Sequence, residues 1–300
     1  MPSPSSGPLR RAASRLSSRA AAAAAPRIEV RQLPGRGRGL LAADSLAAGA
    51  EILRCVPMAQ VLKEPAAAAC CAQCCGALPA AVPAGAAKPA LCSAACSAAF
   101  AARGGDMLHR CDLRELDAIH EEQGRKFPLL VAHLLAHLLA DLKNGTLPSA
   151  WPPLELCHAV LEPAAMPQVE REHAALHTAF AAAGLADAPT LELLLPLQRY
   201  AQLLGAAQLN AFELCTSRGL RISCLLPAPA SLFNHSCEPN VLISCADDHE
   251  VGFVMEREAA PEEELCISYV DLERPGSERR HLLLHKYGFE CGCPRCARGD

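Results

Sequence analysis

The sequence predicts an α+β fold: short strands towards both ends of the chain and a long helical middle. Three features point there. Segments such as RIEVRQL (27–33) and NVLISCADD (240–248) are short, β-rich and bounded by polar turns, as strands are. Residues 113–214 space apolar side chains three and four apart, the helical period. The cysteines, 17 in all, include CxxC and CxCxxC groupings that read as zinc sites in a reducing compartment. At 300 residues the chain is long enough to bury a real core, as one large domain or two small ones.

Residues 1–26 hold four arginines and no acid in a Ser-, Ala- and Pro-rich background, and read as a disordered tail or an organelle transit segment. The net charge of −4 therefore leaves −8 on the remainder, which disfavours direct nucleic-acid binding. The longest apolar run, PLLVAHLLAHLLA (128–140), is broken by two histidines and falls short of the ~18 residues a membrane span needs, so a soluble protein is expected.

Residues 27–62 read as short strands around a turn, Gly35-Arg36-Gly37-Arg38-Gly39. Glycines let backbone amides approach a ligand, and arginines meet carboxylates. In 63–112, Cys71 and Cys74 (CAQC) precede Cys92 and Cys96 (CSAAC), while LPAAVPAGAAKPAL (78–91) between them has no metal ligand. Cys70 and Cys75 are spare thiols, and the bland alternative is a disordered linker with incidental cysteines. Residues 113–209 contain three helical patterns, LRELDAIHEEQGRKF, FPLLVAHLLAHLLADLKNG and TLELLLPLQRYAQLLGAAQ. Asn144-Gly145 ends one helix and Pro148–Pro153 forms a break. His133 and His137, four apart among leucines and alanines, read as a packed helix face.

Strands resume over 210–274 in NAFELC, LRISCLLP, NVLISCADD, EVGFVMERE and ELCISYV. The run Glu262-Glu263-Glu264 reads as solvated. In 275–300, Cys291, Cys293 and Cys296 can aim at one point; tetrahedral zinc needs a fourth ligand, and Cys237 is the obvious donor. Disulfides within CxC are strained and disfavoured.

SLFNHSCEPN, EEELCISYVD and KYGFECGCPRC stand in an order, NHSCxPN, ELxISYxD and YxFxCxCxxC, that resembles the SET domain of protein lysine methyltransferases with its post-SET zinc site. With a cysteine-rich insert upstream, the chain is similar to the SET-and-MYND (SMYD) family from about Arg27 to Cys296. The resemblance implies a SET-domain β-fold of small sheets, with the final segment threaded through a preceding loop. It further implies a helical insertion, a degenerate MYND-type finger at 63–112 and a post-SET zinc segment at 275–300. A MYND finger normally holds two zinc ions; His109 and Cys111 stand near its last ligand positions without partners, so one zinc retained is the expectation. The chain runs only just past Cys296, without the helical C-terminal domain of many relatives, and a more open substrate groove is expected.

The implied activity is S-adenosylmethionine-dependent lysine N-methylation of a protein substrate, histone or otherwise. Methyl transfer to an amine is an in-line displacement in which positioning contributes most. The acceptor lysine must first lose its proton, favoured by a dry channel, and aromatic walls tolerate the cationic product. By motif match, Tyr269 and Tyr287 are the catalytic tyrosines. Arg36, Gly37, Arg38, Asn210, Asn234, His235, Tyr287 and Phe289 contact the cofactor, with His235 serving through its backbone and not as a base. A turn residue is the equal alternative for Asn210. The metal sets are Cys237, Cys291, Cys293 and Cys296, and Cys71, Cys74, Cys92 and Cys96. Family members often carry glycine at position 262, so the turn at Glu262 is expected to manage without positive φ. A monomer in cytoplasm or nucleus follows, or in a plastid or mitochondrion if the N-terminus is a transit peptide. The rivals are a catalytically silent scaffold that binds partner proteins and a plastid Rubisco-type methyltransferase, whose family lacks the CxCxxC end.

Overall fold

The computed structural model describes residues 28–62, 70–79, 89–123, 127–146, 152–216, 219–245 and 250–300, so the expected tail or transit segment at 1–26 lies outside the described residues. The chain divides into two compact units. One comprises Met1–Arg54, Leu232–Ala246 and Val251–Asp300; the other comprises Cys55–Ser231 and Asp247–Glu250.

In chain order the strands and helices are β1 (Ile28–Leu33), β2 (Gly37–Ala42), β3 (Glu51–Cys55), β4 (Ala59–Leu62), α1 (Ala94–Ala102), α2 (Gly105–Leu108), α3 (Arg114–Gln123), α4 (Phe127–Asn144), α5 (Met166–Ala182), α6 (Ala188–Leu194), α7 (Leu197–Asn210), β5 (Ala211–Cys215), β6 (Arg221–Leu225), β7 (Asn234–His235), β8 (Val241–Cys245), β9 (Val251–Met255), β10 (Glu264–Ile267), α8 (Gly276–Tyr287) and α9 (Pro294–Ala297). Among the described residues no helix is long and apolar enough to cross a membrane.

The second unit is the helical one. Its small antiparallel sheet runs β4-β6-β5. Its core centres on α4, which buries Leu130, Leu134 and Leu135 against Leu176 and Phe180 of α5 and Tyr200 and Leu203 of α7. Because apolar residues surround most of α4, its two histidines sit in a poor environment for charge. Burial, then Arg103, pushes His133 down to about 4, so it is neutral at physiological pH.

The stretch TLELLLPLQRYAQLLGAAQ forms two helices where its period predicts one. Pro196 has no N–H to give and its ring clashes with the carbonyl four residues back. Leu195 accordingly leaves the helix at φ −136 and ψ 64, ending α6, and α7 begins after the proline. Helix α5 was not singled out from the sequence, because the alanines of EREHAALHTAFAA dilute its apolar face.

The first unit carries two sheets, β1-β2-β10-β7 and β3-β9-β8. The β1–β2 hairpin pairs Ile28 with Ala42 through Leu33 with Gly37. Its turn needs φ of 69° at Gly35 and 70° at Gly37, which glycine adopts without steric cost. Strand β10 is the hinge of the architecture. It pairs antiparallel to β2 through Glu264↔Leu41 and Leu265↔Leu40. It then pairs parallel to β7 through Cys266↔Asn234 and Ile267↔His235.

The turn into β10 corrects one expectation. Glu262 adopts φ 68° despite its Cβ, a cost of about 1 kcal/mol or more. Its N–H donates to the Ala42 carbonyl at 2.8 Å, and its carboxylate accepts from the Arg31 guanidinium. The turn keeps the left-handed geometry, and these bonds hold it there.

Candidate active site and two cysteine quartets

Strands β7 and β10 bring Asn234, His235 and Tyr269 together. The His235 Nδ1 accepts the backbone N–H of Tyr269 at 3.0 Å. That bond places the ring proton on Nε2, which faces the Cys237 Sγ at 3.2 Å. Burial, then Arg36 and Arg279, holds His235 down to about 4. Its one basic nitrogen is already occupied and its ring is neutral, so it has no capacity left as a general base. Its role is to tie a cysteine to a tyrosine backbone.

The Tyr269 hydroxyl donates to the Phe233 carbonyl at 2.7 Å. The Tyr287 ring, at the end of α8, lies 4.9 Å from the Tyr269 ring between centroids. Phe289 stands 6.1 Å from the His235 ring and 6.5 Å from both tyrosines. The three aromatic residues anticipated from the motifs thus form one group, and all three are part-exposed.

Arg36 and Asn234 meet on the Glu264 carboxylate, which is part-buried and paired where the acidic run predicts a solvated face. Glu264 Oε1 accepts from Asn234 Nδ2 at 2.9 Å and lies 3.2 Å from Arg36 Nε. Arg36 Nη2 donates to the His235 carbonyl at 2.9 Å. The Arg38 carbonyl accepts from Asn234 Nδ2 at 3.3 Å. Gly39 leaves the hollow between these groups open: a Cβ there would lie 2.7 Å from Asn234 Nδ2 and 2.6 Å from Leu33 Cδ1. Gly37 shapes the turn. An open cleft of about 420 Å³ adjoins this pair, its lining including Arg36, Ser236, Asn240, Glu264 and Gly292 but neither tyrosine. Asn210 belongs to the other unit, where its amide donates to the Cys157 and Ala206 carbonyls at 2.7 and 2.8 Å.

The structure gathers Cys237, Cys291, Cys293 and Cys296, their sulfurs all within 4.8 Å of one another. Cys237 and Cys296 are 3.6 Å apart although 59 positions separate them. Burial first, then the neighbouring cysteines, raises Cys237 to about 12 against the opposing bond from Arg279. Burial also opposes ionisation of Cys293, but backbone bonds from Cys296 and Cys237 together with the Cys291 and Cys296 side chains outweigh it and bring that thiol down to about 6. Four thiolates cannot crowd together without a cation, whereas a dication neutralises half their charge.

Arg279 addresses the rest. It is fully buried, donates to the Arg274 carbonyl at 2.6 Å and the Asp300 carbonyl at 2.8 Å, and bonds the Cys237 thiol. Its Nε is buried with no partner. A guanidinium facing a tetrathiolate zinc, net charge about −2, explains such a burial where a neutral cluster would not. The donor set therefore fits zinc. Nothing in GSERRHLLLHKY marked Arg279 as different from the arginine beside it. Glu264 could have been found: it shares a strand face with Cys266, since side chains two apart point the same way.

In the other unit Cys71, Cys74, Cys92 and Cys96 also lie within 4.8 Å of one another. Cys92 is 3.5 Å from both Cys74 and Cys96. Backbone N–H groups serve two of the sulfurs, Cys92 to Cys71 at 3.3 Å and Gly76 to Cys74 at 3.4 Å. Ser93 caps α1 by accepting the Cys96 N–H at 3.1 Å, which sets the last ligand at the helix start. This quartet too can hold a zinc ion. Cys111 instead directs its thiol to the Met107 carbonyl at 3.6 Å.

A family model described as "SET domain" matches residues 37–270. "SET domain and MYND-type zinc finger protein 6" of Schizosaccharomyces pombe is 41% identical over 87 residues, 29% of this chain and 18% of that protein. "Histone-lysine N-methyltransferase SMYD3" of Mus musculus is 37% identical over 91 residues, 30% of this chain and 21% of that protein. The matches thus span about a fifth of each relative's length. Among solved structures, "Crystal structure of the SET domain of LSMT bound to Lysine and AdoHcy" covers 90% of this chain and 54% of that chain, at 16% identity and a TM-score of 0.39.

Proposed function

The chain belongs to the SET-domain family, and on that premise we propose that it is an S-adenosylmethionine-dependent protein-lysine N-methyltransferase. The observation that supports this most is the joining of Tyr269 and Tyr287, rings 4.9 Å apart, to the Asn234-His235 segment and the cysteine quartet.

When bound, S-adenosylmethionine supplies an electrophilic methyl group on a sulfonium. Arg36 and Asn234 are the residues for its amino-acid end, a guanidinium for the carboxylate and an amide for the ammonium's surroundings, with Glu264 at hand for the positive group. The hollow over Gly39 gives such a ligand room. Phe289, beside His235, offers a face for the adenine. The Tyr269 hydroxyl, oriented by its bond to the Phe233 carbonyl, would accept an amine N–H and so orient the amine's own lone pair. The two phenol rings exclude water, favour the neutral lysine and accommodate the methylated cation. The zinc held by the C-terminal quartet is structural: it ties the segment bearing Tyr287 and Phe289 to the segment bearing Asn234.

The substrate class is a protein lysine, with a histone tail as one candidate. A chain of net negative charge makes its contact with chromatin through protein, not nucleic acid. Thiolate zinc sites favour a reducing compartment, which supports the cytoplasm or nucleus as its location, and a monomer is the proposed acting form. Incubating purified protein with tritiated S-adenosylmethionine and a whole-cell lysate should label lysine in at least one protein. Normal cofactor affinity without any labelling would favour the scaffold reading, and absence of cofactor binding by calorimetry would end the enzymatic one.

A further inference from the structure

We propose that His173, His177 and Glu192 form a third metal site, distinct from the cysteine quartets, that takes a borderline divalent ion such as Zn²⁺ with the Leu195 carbonyl as a further donor. Three independent placements converge there. His173 and His177 are one turn apart on α5, so their rings share a face, with centroids 4.0 Å apart. Both Nε2 atoms point at a single oxygen, the Leu195 carbonyl just past α6, at 2.8 and 3.0 Å. Glu192, on α6, brings a carboxylate oxygen within 4.8 Å of a ring nitrogen of each histidine.

The distances suit coordination as well as they suit hydrogen bonding, and it is the convergence of the ligands that points to a metal. Ligands about 2.1 Å from zinc and about 90° apart are separated by roughly 2.9 Å, and at the tetrahedral angle by roughly 3.4 Å. The observed 2.8 and 3.0 Å match the first value, that of a five- or six-coordinate ion with room for water. The carbonyl can accept from both imidazole N–H groups, and a bound ion would replace those two protons by drawing both ring nitrogens and the oxygen to one centre. Two imidazoles, a carboxylate and a peptide oxygen suit Zn²⁺, Ni²⁺ or Co²⁺, and they differ in kind from thiolate sites. Such an ion would fasten the end of α6 to the middle of α5, over the core residues Leu176, Leu191 and Leu195.

The difference in ligands supplies the test. Full-length protein with zinc in both quartets is titrated with Co²⁺. One further equivalent should bind with weak visible absorption and without the thiolate charge-transfer bands a quartet would give. His177→Gln should weaken this binding at least about 10-fold, and Glu192→Gln, at an exposed position, by about 3- to 10-fold. Should His177→Gln misfold, the Glu192→Gln titration decides alone. No cobalt uptake by the zinc-loaded protein, uptake with thiolate bands only, or affinity unchanged in the variants would each overturn the proposal.

Discussion

The two cysteine quartets present the same four sulfurs and serve different ends. The finger quartet is local: its members span Cys71 to Cys96, and Cys92 lies 3.5 Å from both Cys74, 18 positions away, and Cys96, four positions away. It is closed by amide N–H groups and a helix cap. The C-terminal quartet reaches back 59 positions, touches His235 and is bonded at Cys237 by a buried arginine. A metal in the first organises its own loop. In the second it fixes where two distant stretches of chain meet, and the residues of the candidate site lie on those stretches.

The largest effect should separate them. Cys293→Ser should cost one zinc ion and reduce methyl transfer below about 1%, since a structural zinc contributes on the order of 10 kcal/mol, comparable to a domain's whole stability. Cys96→Ser should also cost one zinc, measured by elemental analysis, while S-adenosylmethionine affinity stays within about 2-fold. Equal loss of cofactor binding in both variants would dissolve the distinction.

Arg279→Met comes next. Leaving the tetrathiolate without its buried counter-charge should destabilise the protein by about 3–5 kcal/mol in urea unfolding and hasten zinc loss to a chelator. A variant as stable as the parent would mean the C-terminal quartet is no more dependent on its surroundings than the finger. Tyr269→Phe should lower kcat by roughly 10²- to 10³-fold with cofactor affinity retained, which calorimetry and single-turnover methyl transfer can check.

Acid should bring the two units closer in behaviour. His235 and His133 both sit at about 4 in the fold against 6.5 ordinarily. The unfolded chain therefore binds the proton first as pH falls. Stability is fully present above about 6.5 and is lost down to about 4, by roughly 3 kcal/mol at most for the deeply buried His235. His133→Gln should flatten that slope for the helical unit only, as followed by hydrogen exchange. The smallest expected change is Glu262→Gly, which relieves a left-handed φ at the expense of an exposed ion pair. It should raise stability by about 0.5–1 kcal/mol, read from the shift in the thermal midpoint.

What was legible in the sequence divides along physical lines. Ligand count and spacing made the Cys237 partnership legible, because a metal demands a fixed number of donors whatever the intervening chain does. Regular period made β5, β6, β8, β9, β10 and α4 legible, while the two-residue β7 was not. The charged residues were not. Arg279 and Arg280 are adjacent on one helix, yet the first is buried and the second exposed. That outcome is decided by what α8 packs against, which no local pattern records. Glu264 was hidden in the same way by its two acidic neighbours. Pro196 was readable in principle, and the leucines around it masked the break.

The His235 ring works as a gauge of fixed length. It spans from a sulfur two residues ahead to the amide of Tyr269, with one bond at each end. A residue inserted between Asn234 and Cys237 shifts one contact by a whole residue spacing, and no side-chain rotation restores it. Natural or designed length variation between these two positions should accordingly be almost nil.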